Sequence, residues 1–271
     1  MNIKKHYKLP LVLVWAVLIL FATQGVQSQD MDAEQIMNQS NAREQGDDFQ
    51  STVKLISTDA QGNSSELTME LVVKTVPGSQ ETGKTRYNVL ATVTEPEDSK
   101  GLAVLVHEQD FPIEDDIWLF LPAIGSAKKI VPENFRTPLF GSEFTFEELI
   151  DREPDLDIHE LLSEDTVDDR NVWVIKSIPL DPEIAGFSYR MTFIDQTTFL
   201  SLRMELYDDF DTMIKVFSSE RIESIDGILT RIISKAENLE TGRVSIFEFL
   251  EPRYNQGGIS DDLFDPENLG Q

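Results

Sequence analysis

The residues that could do chemistry in this chain are mainly carboxylates. Beyond residue 28 the sequence has two histidines, His107 and His159, and it has no cysteine. Neither histidine belongs to a zinc-protease motif, which needs a second histidine four residues on, and no Gly-x-Ser-x-Gly nucleophile motif occurs. The other candidates are groups of aspartates: Asp155 and Asp157, Asp168 and Asp169, and Asp208, Asp209 and Asp211.

These aspartate groups fall in predicted turns. Paired carboxylates can bind Ca²⁺ or act together in a glycosidase, but none of the groups has the glycine-bearing spacing of an EF-hand loop. In an acidic chain, aspartate is an ordinary turn residue. We therefore predict no catalytic residue, no metal site and no cofactor, and we expect that the protein is not an enzyme.

The charge balance excludes several kinds of partner. The chain has 23 lysines and arginines against 49 aspartates and glutamates, a formal net charge of −26. Such a charge argues against nucleic acid and against electrostatic binding to an anionic membrane surface. Without cysteine there are no disulfides or thiolate metal sites, so stability must come from a hydrophobic core.

Residues 1–28 have the pattern of a secretory signal peptide. A positive region with Lys4, Lys5 and Lys8 precedes the apolar run Leu9–Ala22. A short polar stretch then leads to a plausible cleavage site at Ser28. The alternative is an uncleaved membrane anchor, but the apolar run is shorter than the roughly 20 residues that a spanning helix needs. We expect export, cleavage near Ser28 and a single domain over residues 29–271.

The elements that position the remaining residues are mostly strands. Asp32 to Gln45 predicts a helix, because Asp32 can cap it with Gln35 and Gly46 can end it. After Asp48, apolar and polar residues alternate with a period of two, which predicts about eleven strands joined by hairpin-length turns. This pattern indicates one antiparallel meander, closed or nearly closed on itself.

Residues 132–169 interrupt the meander. Two short helical patterns occur there, one starting at Thr145 with Glu148 as its capping partner and one around Leu156 to Leu162. A long insertion in a tight meander is usually a functional lid or a flexible linker. The aromatic residues in this insertion favour a lid.

The heaviest apolar load lies next to this insertion, on a predicted strand. Ile117, Leu119 and Leu121 lie on the opposite face of that strand from the aromatic residues between them, so only one set can line a cavity. We choose the aromatic set, because large flat side chains can form an adaptable wall; core packing is the alternative for each residue. The cavity and lid candidates are Trp118, Phe120, Phe140, Phe144 and Phe146.

Lys128 and Lys129 follow this strand and are rare positive charges in the chain. They could contact a lipid headgroup or an acidic patch on a partner. The alternative is a solvated turn.

Five segments together resemble a known family. They are Asp116–Ala123, Lys128–Ile130, Phe140–Leu149, Phe193–Lys215 and Ile259–Leu269. The first three are similar to the signature of the outer membrane lipoprotein-sorting family, the LolA-like periplasmic carriers. The resemblance implies a half-open antiparallel β-barrel with helices covering its mouth and an apolar interior.

The same resemblance implies a function. It is that of a periplasmic carrier that binds lipid or lipoprotein acyl chains for transfer towards the outer membrane. Its partners would be an inner-membrane transporter or an outer-membrane acceptor, and the carrier would be a monomer. The alternative is a non-catalytic periplasmic subunit or adaptor of an envelope lipid or RND-type transporter.

Overall fold

Thirteen strands form one antiparallel sheet in the computed structural model, which describes residues 31–77, 85–109, 113–149 and 152–270. The strands are β1 (Asp48–Thr58), β2 (Ser64–Pro77), β3 (Thr85–Glu95), β4 (Ala103–His107), β5 (Asp116–Leu121), β6 (Ser126–Ile130), β7 (Asp157–Val167), β8 (Arg170–Pro179), β9 (Tyr189–Asp195), β10 (Ser201–Tyr207), β11 (Met213–Ile225), β12 (Ile228–Asn238) and β13 (Arg243–Tyr254). The predicted mainly-β antiparallel architecture is confirmed. The predicted count of eleven strands is wrong, and the sheet is open rather than closed.

The strand order explains why the sheet stays open. It runs β6-β5-β4-β3-β2-β1-β13-β12-β11-β10-β9-β8-β7, so its two edges are β6 and β7. These two strands are neighbours in sequence but stand at opposite ends of the sheet. The chain between them must therefore cross from one edge to the other. We call its described residues, 131–149 and 152–156, the crossing segment.

Helix α1 (Ala33–Asn41) precedes the sheet. Its predicted capping box is confirmed, because Asp32 Oδ1 accepts a hydrogen bond from the Gln35 amide at 2.8 Å and the Asp32 amide donates to Gln35 Oε1 at 3.1 Å. The helix ends at Asn41 rather than Gln45, and its apolar face, with Ile36 and Met37, is buried. Helix α1 lies near β7, and a single turn, α2 (Pro182–Ala185), follows β8.

No helix in the described ranges is both long and apolar enough to cross a membrane. The predicted signal segment, residues 1–28, and its cleavage site lie outside the described residues.

The strand register divides the side chains of β1–β5 between two faces. The inner face carries the main apolar cluster, in which Val104 and Val106 of β4 lie opposite Leu119 and Ile117 of β5. The crossing segment packs on this face. The outer face is covered by the C-terminal segment, residues 255–270, which packs against it through side chains such as Phe264.

Strand β4 is consequently buried on both sides, as its continuous apolar sequence predicts. The covers are the crossing segment and the C-terminal segment. Helix α1 lies at the β7 end of the sheet.

The helical interpretation of residues 156–162 is wrong. Leu156 ends a 3-10 turn (Pro154–Leu156), and Asp157 begins β7. An edge strand has only one neighbouring strand and most of its side chains stay in water, so β7 lacks the alternation that marks a half-buried strand. The pattern at Thr145 is confirmed only as one 3-10 turn (Glu147–Leu149), in which Glu148 Oε2 accepts from the Thr145 amide at 2.7 Å.

Candidate ligand-binding site

The crossing segment places its apolar side chains on the inner face of the sheet. Pro138 and Thr145 form an isolated antiparallel bridge, and the Leu139 amide donates to the Phe144 carbonyl at 2.7 Å. This small loop turns back at Phe140, whose φ of 50° is in the left-handed region. As a result Leu139 is fully buried in the main cluster, and Phe146 is 4% exposed beside it.

Aromatic rings extend this packing to strands on the other side of the sheet centre. The Phe144 ring centroid lies 6.1 Å from that of Phe217 on β11 and 5.8 Å from that of Phe247 on β13. Phe247 in turn contacts Phe249 edge-on at 5.5 Å. Phe140 is half-buried against the same cluster. The crossing segment thus covers the inner face with aromatic residues.

One polar anchor holds the crossing segment to β12 and β13 through Glu143. Its amide donates to Ser245 Oγ at 2.9 Å, and its carboxylate accepts from Asn238 Nδ2 at 3.0 Å and lies 2.8 Å from Arg243 Nε. Arg243 also donates to the Gly141 carbonyl at 2.6 Å. Because these partners come from two strands, the anchor fixes the position of the loop relative to the sheet.

A second anchor is the ion pair of Glu148 with Lys215 on β11. The ammonium lies 2.9 Å and 3.2 Å from the two carboxylate oxygens, and the side chains are 23% and 13% exposed. The ammonium also lies 4.5 Å from the ring centroid of Phe217. A charged pair with so little solvent contact is stronger than a surface pair.

A third anchor ends the crossing segment at β7. The buried carboxylate of Asp157 lies between two guanidinium groups, Arg152 at 3.0 Å and Arg190 of β9 at 2.8 Å. Arg152 also pairs with Glu147 at 3.2 Å. Burial raises the pKa of Glu147, and the adjacent Arg152 opposes this shift. Asp157 is therefore a buried structural acid, and the prediction that it lies in a solvated turn is wrong.

The other aspartate groups do lie in turns. Asp168 and Asp169 form the β7–β8 turn with φ of 48° and 62°. Asp208 accepts from the amides of Phe210 and Thr212 in the β10–β11 turn, at 2.9 Å and 2.8 Å. Within the described ranges, no group of three or more histidine, aspartate or glutamate side chains could hold a metal ion.

Both histidine side chains form hydrogen bonds that hold parts of the structure together. His107 Nε2 lies 2.7 Å from the Phe264 carbonyl and therefore holds the C-terminal segment. His159 lies 2.8 Å from Ser177 Oγ and 3.0 Å from the Pro154 carbonyl, at the end of the crossing segment. Burial lowers the pKa of His159. The Ser177 hydroxyl that contacts His159 is fully buried.

The five aromatic candidates do not form one surface. Phe140, Phe144 and Phe146 lie on the inner face, whereas Trp118 and Phe120 lie on the outer face under the C-terminal segment. The backbone of that segment approaches Phe120 closely at Gly270, where any side chain would collide with the ring. Trp118 contacts His107 at 4.8 Å between ring centroids.

The inner face of β5 is formed by Ile117 and Leu119 instead. Alternation in the sequence places the aliphatic residues and the aromatic residues of β5 on opposite faces, but it does not determine which of them face the interior. The deciding signal is the C-terminal segment, whose apolar residues need a surface and find it at Trp118 and Phe120.

The two lysines lie on the edge strand β6 and not in a turn. Lys128 is opposite Leu119, at the rim of the inner face, and Lys129 is opposite Trp118 on the outer face. Lys129 pairs with Asp116 and lies 5.8 Å from the Trp118 ring centroid. Lys128 is exposed. The structure therefore separates the two lysines onto different faces.

Two cavities of about 380 Å³ each are found on the described surface, away from the inner face. One lies on the outer face between Trp118, Lys129 and Leu269. The other is polar and lies near Asp195 and Thr198. The inner face itself is occupied by the side chains of the crossing segment.

Comparisons with known proteins agree with this geometry. A family model with the description "Uncharacterized protein" matches residues 85–271, more than half of the chain. The chain belongs to this family. A search of curated proteins gave no match.

Solved structures identify the fold. A domain from Vibrio parahaemolyticus that is named for outer membrane lipoprotein sorting is 25% identical, covers 88% of this chain and 98% of its own, and has a TM-score of 0.79. A DUF1329 family protein from Desulfovibrio piger is 22% identical with coverages of 86% and 95% and a TM-score of 0.78. A LolA superfamily protein from Nitrosomonas europaea is 18% identical, with coverages of 87% and 98% and a TM-score of 0.64. The LolA-like resemblance predicted from the sequence is confirmed.

Proposed function

We propose that this protein is a non-enzymatic periplasmic carrier that binds the acyl chains of a lipid or lipoprotein and passes them towards the outer membrane. The observation that carries the proposal is the crossing segment. It covers a broad apolar face of an open sheet with aromatic side chains that belong to the same chain. The names of the structural relatives, lipoprotein-sorting and LolA superfamily proteins, support the same class of cargo.

In this proposal the crossing segment is a lid that the cargo displaces. Acyl chains and the side chains of Leu139 and Phe146 compete for the same inner face. Exposing a fully buried leucine or phenylalanine costs about 1.5–3 kcal/mol, and a half-buried one costs about half as much. Two apolar residues of the segment are buried and three are half-buried, so opening it costs roughly 5–10 kcal/mol; they are Leu139 and Phe146, and Phe135, Phe140 and Phe144. An acyl chain of about 16 carbons gains a similar amount, at roughly 0.8 kcal/mol per methylene. A cargo with more than one acyl chain would therefore favour the open form.

The proposed lining follows from the faces of β5. Ile117 and Leu119 would contact the acyl chains, and Phe140, Phe144 and Phe146 would move with the lid. Exposed Lys128 at the rim would meet a headgroup. Trp118 and Phe120 would keep their place under the C-terminal segment and take no part in binding.

The location and the partners belong to the same proposal. The N-terminal pattern supports export to a periplasm, with cleavage near Ser28. A monomeric carrier would collect its cargo from an inner-membrane transporter and deliver it to an outer-membrane acceptor. The net charge of −26 suits a carrier that stays in solution between two anionic membranes.

Native mass spectrometry with lipid extraction tests the proposal. The protein is purified without detergent from cells that export it. A carrier should retain phospholipid or acylated peptide at a fixed stoichiometry. Leu119→Asn, on the inner face, should lower the bound fraction, and Trp118→Asn, its neighbour on the outer face, should not.

The second candidate is an adaptor subunit of an envelope transporter. It is favoured by one observation: the inner face is already filled by the protein's own side chains, so the closed form needs no lipid. An adaptor would be free of lipid even when purified from membrane-containing cells. It would be recovered with a membrane protein after cross-linking in the envelope.

A further inference from the structure

Strand β7, near which helix α1 lies, has no strand partner on one side in the described sheet. Its eleven residues pair with β8 on one side, and it ends the strand order of the described sheet on the other. The backbone N–H and C=O groups of an edge strand can bind another extended chain. A register shift between Leu161 and Ser163 is the one irregularity in its pairing with β8.

Exposed aliphatic side chains flank this edge. Ile158 is 62% exposed and lies directly opposite Ile178 of β8, which is 41% exposed. Leu180, two residues beyond Ile178, is 63% exposed, and its amide donates to the Leu156 carbonyl at 2.9 Å. Three large aliphatic residues thus lie beside a strand edge that has no strand partner in the described sheet, an arrangement typical of an interaction surface.

The charges around the edge select the partner. Glu160, Glu164 and Asp165 of β7 are all exposed, and so is Asp155 just before the strand. Two copies of β7 paired with each other would bring these carboxylates together, which is unfavourable for directly opposed like charges. An extended segment with basic residues would instead meet opposite charge.

We infer that β7 is a docking edge for an extended, basic segment of a partner protein, whose apolar residues contact Ile158, Ile178 and Leu180. The carboxylates serve two purposes at this edge. They prevent self-association, as charged residues on edge strands commonly do, and they attract a basic strand. Exposed aliphatic residues do not prevent self-association. Their presence beside the carboxylates therefore favours the binding of a partner strand. The site is separate from the inner face and does not depend on lipid binding.

A peptide of alternating lysine and valine, as long as β7 and labelled for fluorescence anisotropy, tests the inference on the mature protein. It should bind at low salt, and chemical-shift changes should concentrate on β7 and β8. The charge-reversed peptide of glutamate and valine should bind at least about tenfold more weakly, the result of a 1.4 kcal/mol difference. The lysine peptide N-methylated at every second residue should also lose binding, because it cannot complete the strand hydrogen bonds.

Matched variants distinguish binding of the lysine peptide at β7 from its general electrostatic attraction to an acidic protein. Ile158→Asn removes an exposed aliphatic residue at the edge and should weaken the lysine peptide about tenfold. Phe210→Asn makes a comparable change at a residue that is 81% exposed in the β10–β11 turn, and it should have no effect. Circular dichroism checks that both variants fold.

Three outcomes would overturn the inference. The first is no binding of the lysine peptide. The second is binding that is indifferent to N-methylation and to Ile158→Asn, which would mean only diffuse electrostatic attraction. The third is self-association of the protein that Ile158→Asn abolishes. The occupant of the β7 edge would then be a second copy of the chain, for example its lysine-bearing edge β6.

Discussion

Glu148 is the residue whose replacement should open the crossing segment without disturbing the sheet. Its carboxylate binds the Lys215 ammonium and accepts from the Thr145 amide. Glu148→Gln keeps an oxygen that can cap Thr145 but removes the negative charge. The ammonium of Lys215, with its side chain 13% exposed, then loses its counter-ion.

The magnitude follows from the burial of this pair. A hydrogen bond to a charged group contributes about 1.5–3 kcal/mol, and this pair is partly solvated, so we expect a loss of about 1.5–2.5 kcal/mol. This free energy is lost by the closed form relative to the open form of the segment. The sheet itself is unaffected, because β11 keeps its strand partners when the segment lifts. The open population should therefore rise about 10- to 70-fold.

Hydrogen exchange measures that population. The Glu143 amide donates to Ser245 Oγ of β13, so it becomes exchangeable when the segment lifts off the sheet. Its exchange should accelerate by the same factor in Glu148→Gln, while amides in the centre of β1 stay slow. Binding of an apolar fluorescent dye should increase in parallel.

A double variant and a control complete the experiment. Lys215→Met in the Glu148→Gln background removes the unpaired charge and should restore at least half of the protection. Glu66→Gln breaks an exposed ion pair with Lys54 and should leave the exchange of the segment unchanged. Equal acceleration of segment and sheet amides in Glu148→Gln would refute the reasoning, because the segment would then open only with global unfolding.

Three further variants test other parts of the structure. Trp118→Asn should loosen the C-terminal segment, seen as faster proteolysis after residue 255, whereas Leu119→Asn should not. Asp157→Asn should lower the free energy of unfolding by about 3–5 kcal/mol in urea titrations, because two buried guanidinium groups lose their shared counter-ion; a loss below about 1 kcal/mol would contradict the buried-pair assignment. Burial raises the pKa of Asp115 from 3.8 to about 6, so this acid favours folding below pH 4 and that contribution is lost as the pH rises through 6. Asp115→Asn should therefore gain stability over the wild type above pH 6 by up to about 3 kcal/mol, and none at pH 4; a constant difference across the range would exclude this titration.

The sequence predicted those features that depend on local spacing. The capping box of Asp32 and Gln35 formed as expected, and so did the alternating strands and their hairpin turns. These elements need only neighbouring residues to form.

The rest depended on distant partners. Which face of β5 points inward is decided by Phe264, some 140 residues away in sequence, which covers Trp118 and Phe120 from the outside. Strand β7 was missed because an edge strand shows little burial pattern. Asp157 was assigned to a solvated turn because its two arginine partners, Arg152 and Arg190, come from separate elements.

The pairing of β1 with β13 has a consequence for how the chain acquires its shape. Phe49 lies opposite Tyr254 and Thr58 opposite Val244, so the middle of the sheet joins the first strand made to the last. A growing chain can form the local hairpins of β1–β6 and β7–β12, but it cannot unite them until residues 243–254 are available. Such long-range pairing slows folding. The two sets of strands therefore cannot join into one sheet before residues 243–254 have been made.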